Sequence, residues 1–272
     1  EDNSDAPNGW SMTDSLTFTA SGEMDNGFTI STSLELDNAG VYDDRSISID
    51  TGDMGKLTFS GSGTSGPVGA WDDLTPTANE ESWSTATAGT ADGPTNAAVG
   101  TNGFIYDYTV SDAIAIKAAY EPSRSTTQVE SSTEIGIAYT GIEGLTVKAA
   151  MGENNNEAAG IDNNVFSINY AMGPITVGYQ SNESDSGTAD ADEDFTAIGI
   201  SYAVSDDLSV SYGTSSLDYE DSTKSDQDSN AVSVSFTAGG VAISASHQTT
   251  DNVAGTSTAD NKGYEINFSF AF

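Results

Sequence analysis

The chain has 272 residues, no cysteine, and 42 Asp and Glu against 7 Lys and Arg, a formal charge of −35. That charge repels phosphate backbones and argues against a nucleic-acid partner, and the lack of thiols excludes cysteine nucleophiles, Cys-ligated metals and disulfides. No run of about 18 apolar residues offers a membrane-spanning helix, and no charged-then-apolar leader opens the sequence, so a secretory signal is expected to have been removed already.

Alternation of apolar and polar residues predicts strands at 15–23, 26–37, 44–51, 55–61, 103–110, 113–121, 132–140, 144–152, 163–172, 174–182, 195–204, 207–217, 229–237, 240–249 and 262–272. Each has about the length that a tilted strand needs to cross a bilayer. The clearest pair is "NNVFSINYAMGPITVGYQSN" at 163–182. Phe166, Ile168, Tyr170 and Met172 share one parity, the chain reverses at MGP, and Ile175, Val177 and Tyr179 continue the same face. Ser167, Asn169, Thr176, Gly178 and Gln180 make the other face.

The links fall into two alternating classes. Short ones are "MDNG" at 24–27, "TGDMG" at 51–55, "SD" at 111–112, "GIEG" at 141–144, "MGP" at 172–174, "SDD" at 205–207 and "AGG" at 238–240. Long polar ones are 38–43, 62–102, 121–131, 153–162, 183–194, 218–228 and 250–261. Tight turns gathered at one end suit a transmembrane up-and-down antiparallel β-barrel, all-β, with periplasmic turns and external loops. Most of the ten Phe and eleven Tyr fall on the apolar parity. A ring of fifteen or sixteen strands is too wide to fill with side chains, so the apolar parity is expected to face lipid and the polar parity a wet lumen. Barrels of this kind close with an even strand number, and "EDNSDAPNGW" reads as loop, so a first strand is expected to precede Glu1 or to come from a separate piece.

"RSISIDTGDMGKLTFSGSG" at 45–63, the forty-residue loop that follows, and the closing "GYEINFSFAF" resemble general diffusion porins of Gram-negative bacteria, most closely the alphaproteobacterial type. The resemblance covers the chain. It implies a sixteen-stranded barrel in the outer membrane, a homotrimer, contact with outer-membrane lipid and lipopolysaccharide, and passage of small hydrophilic solutes and cations. It also implies that the long loop 62–102 folds into the lumen at mid-height, while the terminal phenylalanine resembles the family's assembly signal. Length alone had marked that loop as functional.

The expected pore constriction then carries Asp72, Asp73, Glu80, Glu81 and Asp92 from the loop, with Trp71 and Trp83 as anchors against the wall. Lys56, Lys117 and Lys148 fall on the inward parity, as do Glu35, Asp50, Asp107 and Glu134. The family's arginine cluster has no counterpart on an inward strand position: Arg45 shares parity with Ile47 and Ile49, and Arg124 is in a loop. The balance predicts a preference for cations. A solvated acidic surface of halophilic or marine type is a compatible cause of the charge.

No enzyme is expected. His247 is the one histidine and reads as a rim residue without a catalytic partner. Asp190, Asp192 and Asp194 open like a calcium loop, but Phe195 stands where glycine is needed and Ser201 where glutamate is. No cofactor is expected; the resemblance allows a structural Ca²⁺ or Mg²⁺ held loosely at loop carboxylates such as these. Against the passive channel stand two other readings. A substrate-specific channel would show an aromatic track, yet Phe195 is the one aromatic read on the inward parity. An acidic surface adhesin would need no detergent.

Overall fold

A computed structural model describes residues 15–37, 41–83, 102–123, 130–155 and 159–270. The first strands are β1 (Ser15–Glu23), β2 (Thr29–Asp37), β3 (Val41–Asp50), β4 (Lys56–Ser62) and β5 (Gly103–Ser111). Next come β6 (Ile114–Glu121), β7 (Ser132–Ile142), β8 (Leu145–Asn154), β9 (Ile161–Met172) and β10 (Ile175–Ser186). The last are β11 (Glu193–Ala203), β12 (Leu208–Tyr219), β13 (Gln227–Ala238), β14 (Val241–Asp251) and β15 (Asn261–Phe270). Among the described residues, helix is confined to α1 (Pro67–Trp71) and two 3₁₀ turns at Gly52–Met54 and Val253–Gly255.

All fifteen strands join in one sheet in chain order, each antiparallel to its neighbours. Register follows the apolar pattern. Ile175 opposes Met172, Val177 opposes Tyr170 and Tyr179 opposes Ile168, so a slip by one residue would swap the two faces. The apolar parity is open to the surroundings: Phe18 is 53% exposed, Ile135 55% and Phe268 52%. The polar parity holds Gln180 and Gln248 at 0%, the inverse of a soluble protein.

Strand ends differ from expectation at two kinds of place. β2 begins at Thr29, not 26, because Asn26 and Gly27 form the turn. There Met24 N–H donates to Phe28 O at 2.7 Å, Phe28 N–H donates to Asn26 Oδ1 at 3.2 Å, and Gly27 takes φ 83°. At the opposite end the strands run further than their apolar residues do. β3 starts at Val41, β10 continues to Ser186 and β12 to Tyr219, which trims the links expected at 38–43, 183–194 and 218–228. Backbone ladders do not require an apolar face, so pairing continues into polar sequence such as Glu183–Asp194 and Ser184–Glu193.

Candidate functional site

The chain leaves β4 at Ser62 and turns into α1, whose first residue is Pro67, a ring pre-set for the opening helical φ. Val68 N–H donates to Glu134 Oε2 on β7 at 2.8 Å. Val68 and Trp71 pack with Ala150 and Val165 from the inward parity of β8 and β9, joined by Ala70, Leu74 and Ala138. Beyond α1 the loop is held by side chains from successive strands. Asp72 O accepts from Asn182 Nδ2 at 2.9 Å and from Gln180 Nε2. Leu74 N–H donates to Gln180 Oε1 at 2.6 Å, and Asn169 Nδ2 donates to Leu74 O at 2.7 Å.

The same pattern continues around the sheet. Ala78 N–H donates to Ser211 Oγ at 2.8 Å, and Ser82 Oγ to Ser215 Oγ at 3.0 Å. Ser233 Oγ donates to Glu80 O at 3.3 Å, and Gln248 Nε2 to Glu81 O at 2.6 Å. Trp83 then meets Phe195 edge-on, 4.8 Å between centroids, within a cluster that includes Ala197, Leu217 and Tyr219. Residues 67–83 therefore lie along the inward parity from β7 to β14, with Trp71 and Trp83 buried against it at either end.

The acidic side chains of this segment differ in setting. Asp73 is exposed and Asp72 half-buried. Burial pushes the Asp72 carboxyl up to about 7, with the neighbouring Asp73 charge and then Glu134 adding to the rise. Burial also raises Glu81, helped by Asp73 and Glu80. Asp92 lies outside the described residues.

The three inward lysines are engaged to different degrees. Lys117 Nζ lies 3.4 Å from Asp107 Oδ1. Lys148 Nζ stands 5.5 Å from the centroid of the Trp71 ring, a cation–π geometry. Lys56 is exposed, with Asp50 and Asp107 opposite it on the flanking strands. Lys56 also borders a recess of about 320 Å³ on the wall of β1–β4. Two rows of hydroxyls cross that wall in register: Thr19–Ser33–Ser46–Ser60 and Ser21–Ser31–Ser48–Thr58.

Other candidates are not brought together. Asp190 sits in a turn at φ 60°, Asp192 Oδ1 accepts from Ser186 N–H at 2.8 Å, and Asp194 opposes Glu183 and Asp218. Asp190 and Asp192 precede β11 and only Asp194 belongs to it, and among the described residues no three His, Asp or Glu side chains form a metal-ligand group. His247 is exposed and opposes Val232 and Tyr264. Phe195 is not alone among inward aromatics: β12 extends to Tyr219, which joins the Trp83 cluster.

Residues 1–237 match the family model of Gram-negative porins. The chain belongs to the Gram-negative porin family. Its fold is similar to the anion-selective porin of Comamonas acidovorans, at 12% identity and a TM-score of 0.73, covering 96% of this chain and 90% of that one. It is similar also to the trimer form of OmpT, an outer membrane protein of Vibrio cholerae, at 15% identity and 0.67, covering 96% and 91%. A mutant porin of Rh. blastica matches at 16% and 0.63, covering 95% and 89%. Among curated proteins none matches. As a porin the protein is a transmembrane β-barrel of the outer membrane and a passive channel, not an enzyme.

Sequence reasoning missed the residues that seat the loop: Gln180, Asn182 and Gln248, and the small inward positions Gly136, Gly178 and Gly199 beneath it. A Cβ at Gly136 would collide with Trp71 Cζ3, and one at Gly199 would stand 2.7 Å from Pro76 O. The available signal was glycine at inward positions in mid-strand, where a side chain is ordinarily wanted.

Proposed function

We propose that this porin is a diffusion channel for ions and small hydrophilic solutes, that residues 67–83 form its constriction, and that it favours cations. One observation carries the reading: the loop brings Asp72, Asp73, Glu80 and Glu81 against the lumenal wall, where of the three inward lysines Lys117 is already paired with Asp107 and Lys148 feels the opposite charge of Asp73. In a confined passage of lowered dielectric, an excess of fixed carboxylate attracts cations more strongly than at an open surface. That a porin of Comamonas acidovorans is anion-selective on a similar barrel agrees with selectivity residing in side chains rather than in the fold. The test is the reversal potential of single channels in a KCl gradient. A potential of the sign set by K⁺ supports the reading, and one set by Cl⁻ overturns it.

The assembly we infer is a homotrimer in outer-membrane lipid and lipopolysaccharide, supported by the trimer form of OmpT and by the apolar outer faces nearest the termini. Leu16 and Phe18 of β1 and Ile266 and Phe268 of β15 are all exposed. The mass of the complex in mild detergent decides it: a particle of one chain counts against the trimer.

A further inference from the structure

We propose that the glycines of the wall set the bore of this channel, by fixing how deep the loop sits. The inference rests on residues 67–83 being the constriction. Gly178, Gly199 and Gly213 oppose one another across β10, β11 and β12. None of the three has positive φ, so backbone conformation does not demand glycine, and glycine weakens a strand interior. Space does demand it at two of them. A Cβ at Gly199 would lie 2.7 Å from Pro76 O and 3.0 Å from Pro76 N, and one at Gly178 would collide with Pro76 Cδ and with Asn169 Oδ1. At Gly213 a Cβ would meet Ser82 Cβ at 3.5 Å, an ordinary contact.

Pro76 thus rests with its own backbone on the backbone of β11. The ladder beneath it is tied on both sides and cannot recede, so a methyl group at position 199 lifts the loop toward the pore axis. The loop's acids set which charge passes, and the floor under the loop sets how large a solute passes. Gly136 does the same under α1, where a Cβ would meet the Trp71 ring and, at 2.8 Å, Pro67 Cβ. A side chain in the wall becomes a size determinant without touching the solute.

The experiment compares Gly199→Ala, Gly199→Val and Gly213→Ala, purified in detergent and reconstituted in planar bilayers and liposomes. Unit conductance falls with Gly199→Ala and further with Gly199→Val. Swelling rates for large uncharged sugars fall more than those for small ones, and Gly213→Ala matches the parent in both. Equal behaviour of Gly199→Ala and Gly213→Ala, or a conductance that rises, overturns the proposal. A fourth protein, with Asp72, Asp73, Glu80 and Glu81 changed to amides, separates the two readings. If it loses cation preference while Gly199→Ala stays at parent conductance, the floor fails and the constriction stands; if it too behaves as the parent, the constriction fails and the floor with it. If Gly199→Ala and Gly136→Ala do not insert while Gly213→Ala does, the glycines serve folding alone and the proposal is overturned.

Discussion

The lumenal walls of β1–β4 and of β7–β14 are both polar, and they use that polarity for different ends. On β7–β14 the inward side chains are spent on the protein itself: Gln180, Asn182, Ser215 and Gln248 are buried under residues 67–83. On β1–β4 the inward hydroxyls pair across strands, as Ser31 and Ser48 do at 2.7 Å, and border an open recess beside Lys56. A buried polar group costs free energy unless it is partnered, so the covered wall needs matched donors and acceptors at fixed positions. On the β1–β4 wall Ser48, Thr58 and Ser60 are buried as well, but they find partners within the wall, Ser48 in Ser31 and Ser60 in the Ser62 carbonyl, so a repetitive surface of Ser and Thr suffices there. The covering segment 67–83, not polarity, separates the two walls.

The sharpest way to break this contrast is to loosen the covered wall. Trp83→Ala removes the ring that packs on Phe195 and Leu217, a loss of about 3–5 kcal/mol for a buried aromatic. Single-channel recordings should then show larger and noisier conductance, whereas Ser31→Ala on the open wall should leave the trace unchanged. Charge gives the next effect. Amides at Asp72, Asp73, Glu80 and Glu81 together should cut the K⁺ over Cl⁻ preference more than amides at Glu183, Asp185, Asp192 and Asp194, measured as reversal potential. Equal effects would place the two acid sets on the same footing.

A smaller change should come with pH. Burial holds the Asp72 carboxyl near 7, so it is charged above that value and neutral below it. Cation preference should therefore drop as pH is lowered from about 8 to about 6, where ordinary carboxylates stay ionised. Asp72→Asn should remove that step, and a profile that is flat in the parent would contradict it. The smallest effects separate the lysines. Lys56→Gln on the open wall should raise cation preference, and Lys117→Gln should raise it less, because Asp107 already offsets that charge. Surface-like charge effects of this kind shrink at 1 M salt, where the Debye length is about 3 Å.

Much of the barrel was legible because a period of two needs no tertiary knowledge. The apolar run Phe166, Ile168, Tyr170, Met172 and the MGP turn announce β9 and β10 outright. The external ends were less legible because apolar residues stop before the ladder does. Asp185 and Ser186 pair with Asp162 and Ile161 though nothing in their chemistry asks for a strand. The acids and tryptophans of the loop could be named from its length and from the family resemblance. Its seat could not, since Gly199 and Gly213 look alike in sequence and differ only in what lies above them. Tyr219 was missed for the same reason as the strand end that carries it. The spacing of Asp190, Asp192 and Asp194 suggested a shared ligand, but Asp190 sits in a turn with φ 60°, Asp192 is taken by the Ser186 N–H and Asp194 lies in the ladder of β11.

The strictly sequential strand order also has a consequence in time. Among the described residues every sheet pairing joins strands adjacent in the chain, so these hairpins can add one after another with little loop-closure cost. The loop is different: its hydrogen bonds span 66 residues to Glu134, 106 to Gln180 and 167 to Gln248. Contacts of such separation form after local ones, and the last of them must wait for β14. If residues 67–83 form the constriction as proposed, the passage is at its widest while the protein is being assembled and narrows only as one of the closing steps.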